Sequence, residues 1–128
     1  MAEKKYRVES DLIGELQVPE DAYYGVQTQR ALNNYQISNS RMSNYPEYIV
    51  AIAYVKMAAA SANAELGVLD KTIADAIVAA CREIVDGKLH DQFPVDMMQG
   101  GAGTSVNMNA NEVIANRALE IMGHKKGE

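Results

Sequence analysis

Helical periodicity is the feature that most constrains this chain. Between Asn44 and Gly67, an alanine-rich stretch places apolar side chains four and three residues apart in turn, the spacing of one helix face. The predicted face consists of Tyr48, Ile52, Val55, Ala59, Ala62 and Leu66. Asn44 and Glu47 have capping-box spacing, and Pro46 suits a first turn. Because apolar residues surround most of this helix, we expect further partners to pack against it.

A second helix is predicted from Asp70, and Gly87 is its expected end. Its predicted buried face is Ile73, Ile77, Ala80 and Ile84. Cys81 lies beside that face and is predicted to be a buried, inert thiol. Since Cys81 is the only cysteine, an internal disulfide is excluded.

A last helix is predicted from either Thr104 or Asn109 to Met122, because both residues offer a plausible start. Its predicted apolar stripe is Val106, Ala110, Val113, Ala118 and Ile121. Earlier in the chain, alternating residues over 6–18 indicate either a short hairpin or two isolated strands, with Gly14 as a turn candidate. A helix is predicted over 20–33. The expected fold is therefore mainly α, with a short β element at the N-terminus.

Charge and hydropathy exclude several classes of function. The net charge is −5 and no basic stripe is present, which disfavours nucleic-acid binding. The longest strongly apolar run, Ile49–Val55, is far shorter than the roughly 20 residues of a membrane span. The start lacks the apolar core of a signal peptide, so a cytoplasmic protein is expected. His90 and His124 have no metal-ligand spacing, and we predict no metal site.

One segment carries chemistry: Gln99–Glu112, with the sequence QGGAGTSVNMNANE. A glycine loop that runs into a helix start exposes backbone N–H groups and a helix dipole to an anion. Thr104 and Ser105 add two hydroxyl donors there, which suits a carboxylate. A phosphate-binding loop is not indicated, because no lysine follows the last glycine. The alternative interpretation is an ordinary loop in which Thr104 or Ser105 caps the helix.

This segment resembles the first signature region of the fumarase/aspartase superfamily. The resemblance also includes Val18–Ser38 and Asp91–Asp96, and it covers nearly the whole chain. The matching signature residues are Gly103-Thr104, Asn107-Met108-Asn109 and Asn111-Glu112-Val113. Ala102 and Ser105, which flank the Gly-Thr pair, and the early Tyr-Tyr-Gly at 23–25 favour the aspartase branch. That branch eliminates ammonia from L-aspartate to give fumarate; fumarate hydratase and a non-enzymatic helical interaction module are the alternatives.

The resemblance implies a substrate-binding role for Thr104, supported by the backbone of Gly103 and Ser105. Supporting residues are expected among Asn107, Asn109, Glu112 and Arg30. Glu112 is expected to cap or to form a salt bridge instead of acting as a base, and Arg30 either binds an anion or forms a salt bridge within the domain. The family's base is a serine on a Gly-Ser-Ser loop, a motif that this sequence lacks, so no catalytic residue is assigned.

The resemblance also implies how the chain is organised and assembled. Residues 1–128 are expected to be an N-terminal lyase domain that stops before the family's central helical bundle, and to be inactive in isolation. The family forms homotetramers whose active sites combine segments of three subunits. No cofactor is expected, with a divalent cation as an activator in some members.

Overall fold

The computed structural model describes residues 5–128, which form a β-hairpin followed by helices that pack on one another. Two short 3-10 turns, at Met42–Asn44 and His90–Gln92, interrupt the connections. The strands are β1 (Tyr6–Asp11) and β2 (Gly14–Pro19), and the helices are α1 (Val26–Asn34), α2 (Pro46–Glu65), α3 (Lys71–Val85) and α4 (Thr104–Ile121). The prediction of a mainly α fold with a short N-terminal β element is confirmed.

The strands form an antiparallel hairpin, so the hairpin interpretation of residues 6–18 is the correct one. Asp11 lies opposite Gly14 at the end of the ladder. The Asp11 carboxylate accepts hydrogen bonds from the backbone N–H groups of Ile13 (2.9 Å) and Gly14 (3.1 Å). A carboxylate that binds its own turn in this way stabilises a tight connection.

Helix α1 begins at Val26, so the prediction of a helix from residue 20 was wrong. The cause is Arg7 on β1. Its guanidinium donates to the carbonyl oxygens of Pro19 (2.8 Å), Ala22 (2.9 Å) and Tyr24 (2.8 Å). Because one side chain gathers these carbonyl groups, the segment wraps around Arg7 before the helix starts.

The predicted capping box at the start of α2 was also wrong. Tyr45 occupies the N-cap position, and the side-chain oxygen of Asn44 instead accepts from the backbone N–H of Arg41 at 2.8 Å. Asn44 thereby closes the preceding 3-10 turn. The predicted stop is confirmed, since α2 ends at Glu65 and Gly67 follows with a φ of +72°.

The face of α2 that packs inward differs from the predicted one. Ile49, Ala53 and Ala60 are buried, whereas Tyr48, Val55 and Leu66 are exposed by 41%, 65% and 76%. The helix is apolar on nearly every side, so periodicity alone could not decide which side meets α3. Most of the predicted face therefore lies on the outer surface of the described residues, and only Ile52 of that face packs against the core.

Helix α3 agrees better with its prediction. The carboxylate of Asp70 accepts from the N–H groups of Thr72 (2.8 Å) and Ile73 (3.3 Å), which confirms the N-cap. Ala80 and Ile84 are buried as expected, but Ile73 in the first turn is 42% exposed. Cys81 is fully buried, as predicted, and burial raises the pKa of its thiol to about 11. That the thiol is inert stays a prediction.

Helix α4 starts at Thr104, the earlier of the two predicted starts. Its stripe is buried as predicted except for Ile121, which lies in the last turn and is 40% exposed. Arg117 ties α4 to α3 through a bidentate salt bridge with Glu83, with N–O distances of 2.7 and 2.8 Å.

The largest fully buried side chains of the core are Phe93, Met42, Ile49, Ile84, Val18 and Val95. Within residues 5–128, every helix is too short or too polar to cross a bilayer.

Candidate functional site: a cleft between the hairpin, α1 and the glycine loop

A cleft of about 500 Å³ lies where the hairpin turn, α1 and the glycine loop meet. Three of the residues predicted from the sequence, Arg30, Thr104 and Ser105, line it together. Arg30 reaches it from α1, and the two hydroxyl residues reach it from the first turn of α4. The structure thus brings together residues separated by more than half of the chain.

The glycine loop turns sharply before α4. Gly101, Ala102 and Gly103 have φ angles of +80°, +54° and +84°, so three consecutive residues lie in the left-handed region. Glycine enters this region freely, whereas alanine does so at a cost of about 1–2 kcal/mol. The loop therefore holds Ala102 in a strained conformation, a feature common near ligand sites.

Gly103 occupies the N-cap position of α4, so the alternative in which Thr104 or Ser105 caps the helix was wrong. The Thr104 hydroxyl instead donates to the carbonyl oxygen of Gly101 at 2.6 Å, which also accepts the Thr104 N–H at 3.1 Å. Thr104 is exposed to solvent. Its side chain is consequently accessible at the N-terminus of α4.

Gln99 holds the two ends of the glycine loop together. Its side-chain oxygen accepts from the N–H of Val106 at 3.0 Å, and its amide nitrogen donates to the carbonyl of Asp96 at 2.7 Å. A first-turn N–H group of α4 is thereby satisfied from outside the helix. This role of Gln99 could not be predicted from the sequence, because Gln99 is seven residues from Val106 and follows no capping pattern.

Asp96, which is 6% exposed, anchors the segment that precedes the loop. Its carboxylate accepts from the Ser38 hydroxyl (2.6 Å) and from the N–H groups of Ile37, Ser38 and Met98 (2.8 Å each). The hydrogen bond from the Ser38 hydroxyl, with those from the backbone, lowers the pKa of Asp96 well below its usual range, although burial opposes the shift. The role of Asp96 could not be predicted from the sequence, because its partners at 37–38 lie in a distant loop.

Replacing Asp96 by asparagine should destabilise the protein in a way that depends on pH. A carboxyl group whose pKa is lowered on folding adds stability above its unfolded pKa, and that stability is lost as the pH falls toward its folded pKa. We therefore expect a lower melting temperature for D96N at neutral pH and a gap to wild type that narrows below about pH 4. Thermal unfolding of both proteins across this range is the measurement. A gap independent of pH would contradict the assignment.

Arg30 forms a salt bridge within the domain, which was one of its two predicted roles. Its guanidinium donates to both oxygens of Asp11, at 2.7 and 3.0 Å. The hydrogen bond from Arg30 lowers the pKa of Asp11. The pair fastens the hairpin turn to α1 and forms one side of the cleft.

The remaining predicted residues lie outside the cleft lining. Asn107 is exposed and accepts from the Lys56 ammonium group at 2.7 Å. Asn109 is fully buried and donates to the carbonyl of Gln92 at 2.9 Å, while its side-chain oxygen has no partner in the part of the chain that the structure describes. The Glu112 carboxylate accepts from N–H groups at the start of α1, so Glu112 acts as a cap, which was one of its two expected roles.

Comparison with known proteins points to a lyase family. Residues 14–128 match a protein family described as "Lyase". The aspartate ammonia-lyase of Escherichia coli strain K12 is 58% identical over 123 residues, and that of Pseudomonas aeruginosa is 60% identical over 122. Each alignment covers 95% of this chain and 26% of the relative. The chain therefore spans about a quarter of the length of the curated relatives it matches.

A solved structure shares the fold. The crystal structure of "fumarate lyase:delta crystallin from Brucella melitensis bound to cobalt" has a TM-score of 0.95 and 52% sequence identity, and the match covers 97% of this chain and 27% of that chain. The resemblance to the fumarase/aspartase superfamily is confirmed. Because the family match extends over residues 14–128, this chain belongs to the lyase family.

Proposed function

We propose that these residues form one wall of the substrate site of an aspartate ammonia-lyase, which converts L-aspartate into fumarate and ammonia. This proposal rests mainly on one observation: Thr104 and Ser105, at the N-terminus of α4, line the same cleft as Arg30. Identities of 58% and 60% to curated aspartate ammonia-lyases support this substrate over others. Membership of the lyase family argues against a purely structural interaction module.

The chemistry requires donors for one substrate carboxylate. A base removes the proton from the carbon beside that carboxylate, and the electron pair moves into it to form an aci-carboxylate. The pair then returns to form the carbon–carbon double bond as the carbon–nitrogen bond breaks and ammonia leaves. Donors positioned before the reaction stabilise the developing charge best. The N-terminus of α4 and the Thr104 hydroxyl supply such donors.

The Thr104 hydroxyl has one proton, which Gly101 accepts in the structure. Donation to a substrate therefore requires rotation of the hydroxyl away from the Gly101 carbonyl. That carbonyl keeps the Thr104 N–H as a donor after the rotation. Because no buried oxygen is left without a partner, the rotation is inexpensive.

The base lies elsewhere in the enzyme. Asp11 lines the cleft, but both of its oxygens bind Arg30 and its pKa is lowered, which makes it a poor proton acceptor. We assign proton abstraction to a residue outside these 128. We further propose a cytoplasmic homotetramer that needs no cofactor, with any divalent cation acting as an activator.

The whole enzyme that carries this sequence should act faster on L-aspartate than on L-malate. Ala102 and Ser105, which flank the Gly-Thr pair, motivate this preference together with the identities above. Fumarate release is followed by ultraviolet absorbance with each substrate at matched concentrations. Faster formation of fumarate from L-malate would instead assign a fumarate hydratase.

A further inference from the structure

The N-terminus of α1 is held by a side chain of α4. One carboxylate oxygen of Glu112 accepts from the N–H groups of Gly25 (2.9 Å) and Thr28 (3.0 Å) and from the Thr28 hydroxyl (2.6 Å). The other oxygen accepts from the N–H of Gln27 at 2.8 Å. A single residue of α4 thus binds three backbone groups of another helix. These charge-assisted bonds are among the stronger ones in proteins.

A second carboxylate completes the arrangement. Glu9 of β1 accepts from the N–H of Val26 at 2.8 Å and, through its other oxygen, from the Arg7 guanidinium at 2.8 Å. A helix start ordinarily leaves its first N–H groups without partners. Here two carboxylates of the protein itself accept from these N–H groups, from Gly25 to Thr28. A helix N-terminus favours nearby negative charge, and Glu9 and Glu112 supply that charge at α1.

The contact leaves no room for a side chain at residue 25. A Cβ atom on Gly25 would lie 3.0 Å from the carboxyl carbon of Glu112 and 2.5 Å from a carboxylate oxygen of Glu9. Gly25 has an extended conformation with a φ of −122°, which any residue can adopt. Glycine is therefore required at residue 25 because a Cβ atom has no space there, and not because of the backbone conformation.

Both of the joined helices line the cleft. Gln27 and Arg30 line it from α1, and Thr104 and Ser105 line it from α4. Glu112 lies eight residues beyond Thr104, roughly 12 Å along the same helix. Because helices are stiff over such lengths, a bond at Glu112 sets how far the α1 wall stands from the α4 wall.

We propose that Glu112 is a positioning residue for the substrate cleft, acting through the N-terminus of α1; this rests on the proposed function. It does not line the cleft. Its effect reaches the substrate through the placement of Gln27 and Arg30. Loss of the bond lets α1 shift against α4, which moves Gln27 and Arg30 away from the positions in which they bind the substrate.

The test is E112Q in the whole enzyme. Glutamine keeps the size, but its amide nitrogen faces N–H donors and cannot accept from them. We expect KM for L-aspartate to rise about tenfold with a smaller change in kcat, because the α1 wall contributes binding and not the donors to the developing charge. A purely structural cap would lower the melting temperature and leave both constants per folded molecule unchanged, which would overturn the proposal.

E120Q is the matched control on the same helix. The Glu120 carboxylate accepts from the Tyr23 hydroxyl (2.7 Å) and from Arg117 (2.9 Å), and it lies outside the cleft lining. We expect E120Q to lower the melting temperature while KM stays at the wild-type value. An equal rise of KM in both variants would show a general loss of stability and would overturn the proposal.

Two further measurements keep the proposal testable if E112Q does not fold. Glu112→Asp retains the charge but shortens the reach, so an intermediate KM is expected. In Glu112→Ala, added acetate should lower KM in a saturable way by occupying the vacated donor set, and it should not do so in the wild type. Unchanged KM in Glu112→Asp, or no acetate effect, overturns the proposal. Absence of wild-type activity on L-aspartate would refute the proposed function instead.

Discussion

Replacing Thr104 by alanine should lower kcat/KM of the whole enzyme for L-aspartate by about 100-fold or more, equivalent to about 2.7 kcal/mol. The hydroxyl lies at the N-terminus of α4 and is exposed to the cleft. In the proposed function it donates where charge develops, so the loss should appear in kcat. Folding should change little, because the Gly101 carbonyl keeps the N–H of residue 104 as a donor. Steady-state kinetics and thermal unfolding of the same preparation are the measurements.

Thr104→Ser is the matched control. Serine keeps the hydroxyl and loses only the methyl group, so it should retain much of the activity. If the Thr104 hydroxyl only braces the glycine loop through Gly101, the alanine variant should show a lowered melting temperature and near-normal kcat/KM per folded molecule. That outcome would remove Thr104 from the substrate site.

Replacing Gly25 by alanine should destabilise the protein by about 2–3 kcal/mol, which combines overpacking with the loss of a helix cap. The new methyl group would displace the carboxylates of Glu9 and Glu112 from the first turn of α1. We expect faster amide hydrogen exchange at residues 25–28 together with a lower melting temperature. These local amides report the loss even where the rest of the enzyme stays folded.

Gly87→Ala is the control that separates the effect of steric crowding from the effect of backbone strain. Gly87 has a φ of +89°, and a Cβ atom there would meet nothing within 4 Å. Its replacement should therefore cost only the left-handed strain, about 1–2 kcal/mol. A smaller loss of stability for Gly25→Ala than for Gly87→Ala would contradict the close packing of carboxylates at residue 25.

Most signals contained within a few residues predicted the structure correctly, the capping box of Asn44 and Glu47 being the exception. Asp70 caps α3 through N–H groups two and three residues away, and Gly67 ends α2 through its own positive φ. Thr104 follows a glycine loop because both belong to one short segment. In each case the interacting groups are neighbours along the chain, so pattern and structure coincide.

The sequence by itself therefore determined the helical class, most helix ends and the segment that contains Thr104 and Ser105. Only the tertiary structure decided which side of α2 is buried, since that helix is apolar almost all round. It also decided that α1 starts at Val26, because Arg7 gathers the preceding carbonyl groups. The cap from Glu112 joins residues more than 80 apart in sequence. Such contacts depend on how elements pack, and no local pattern encodes them.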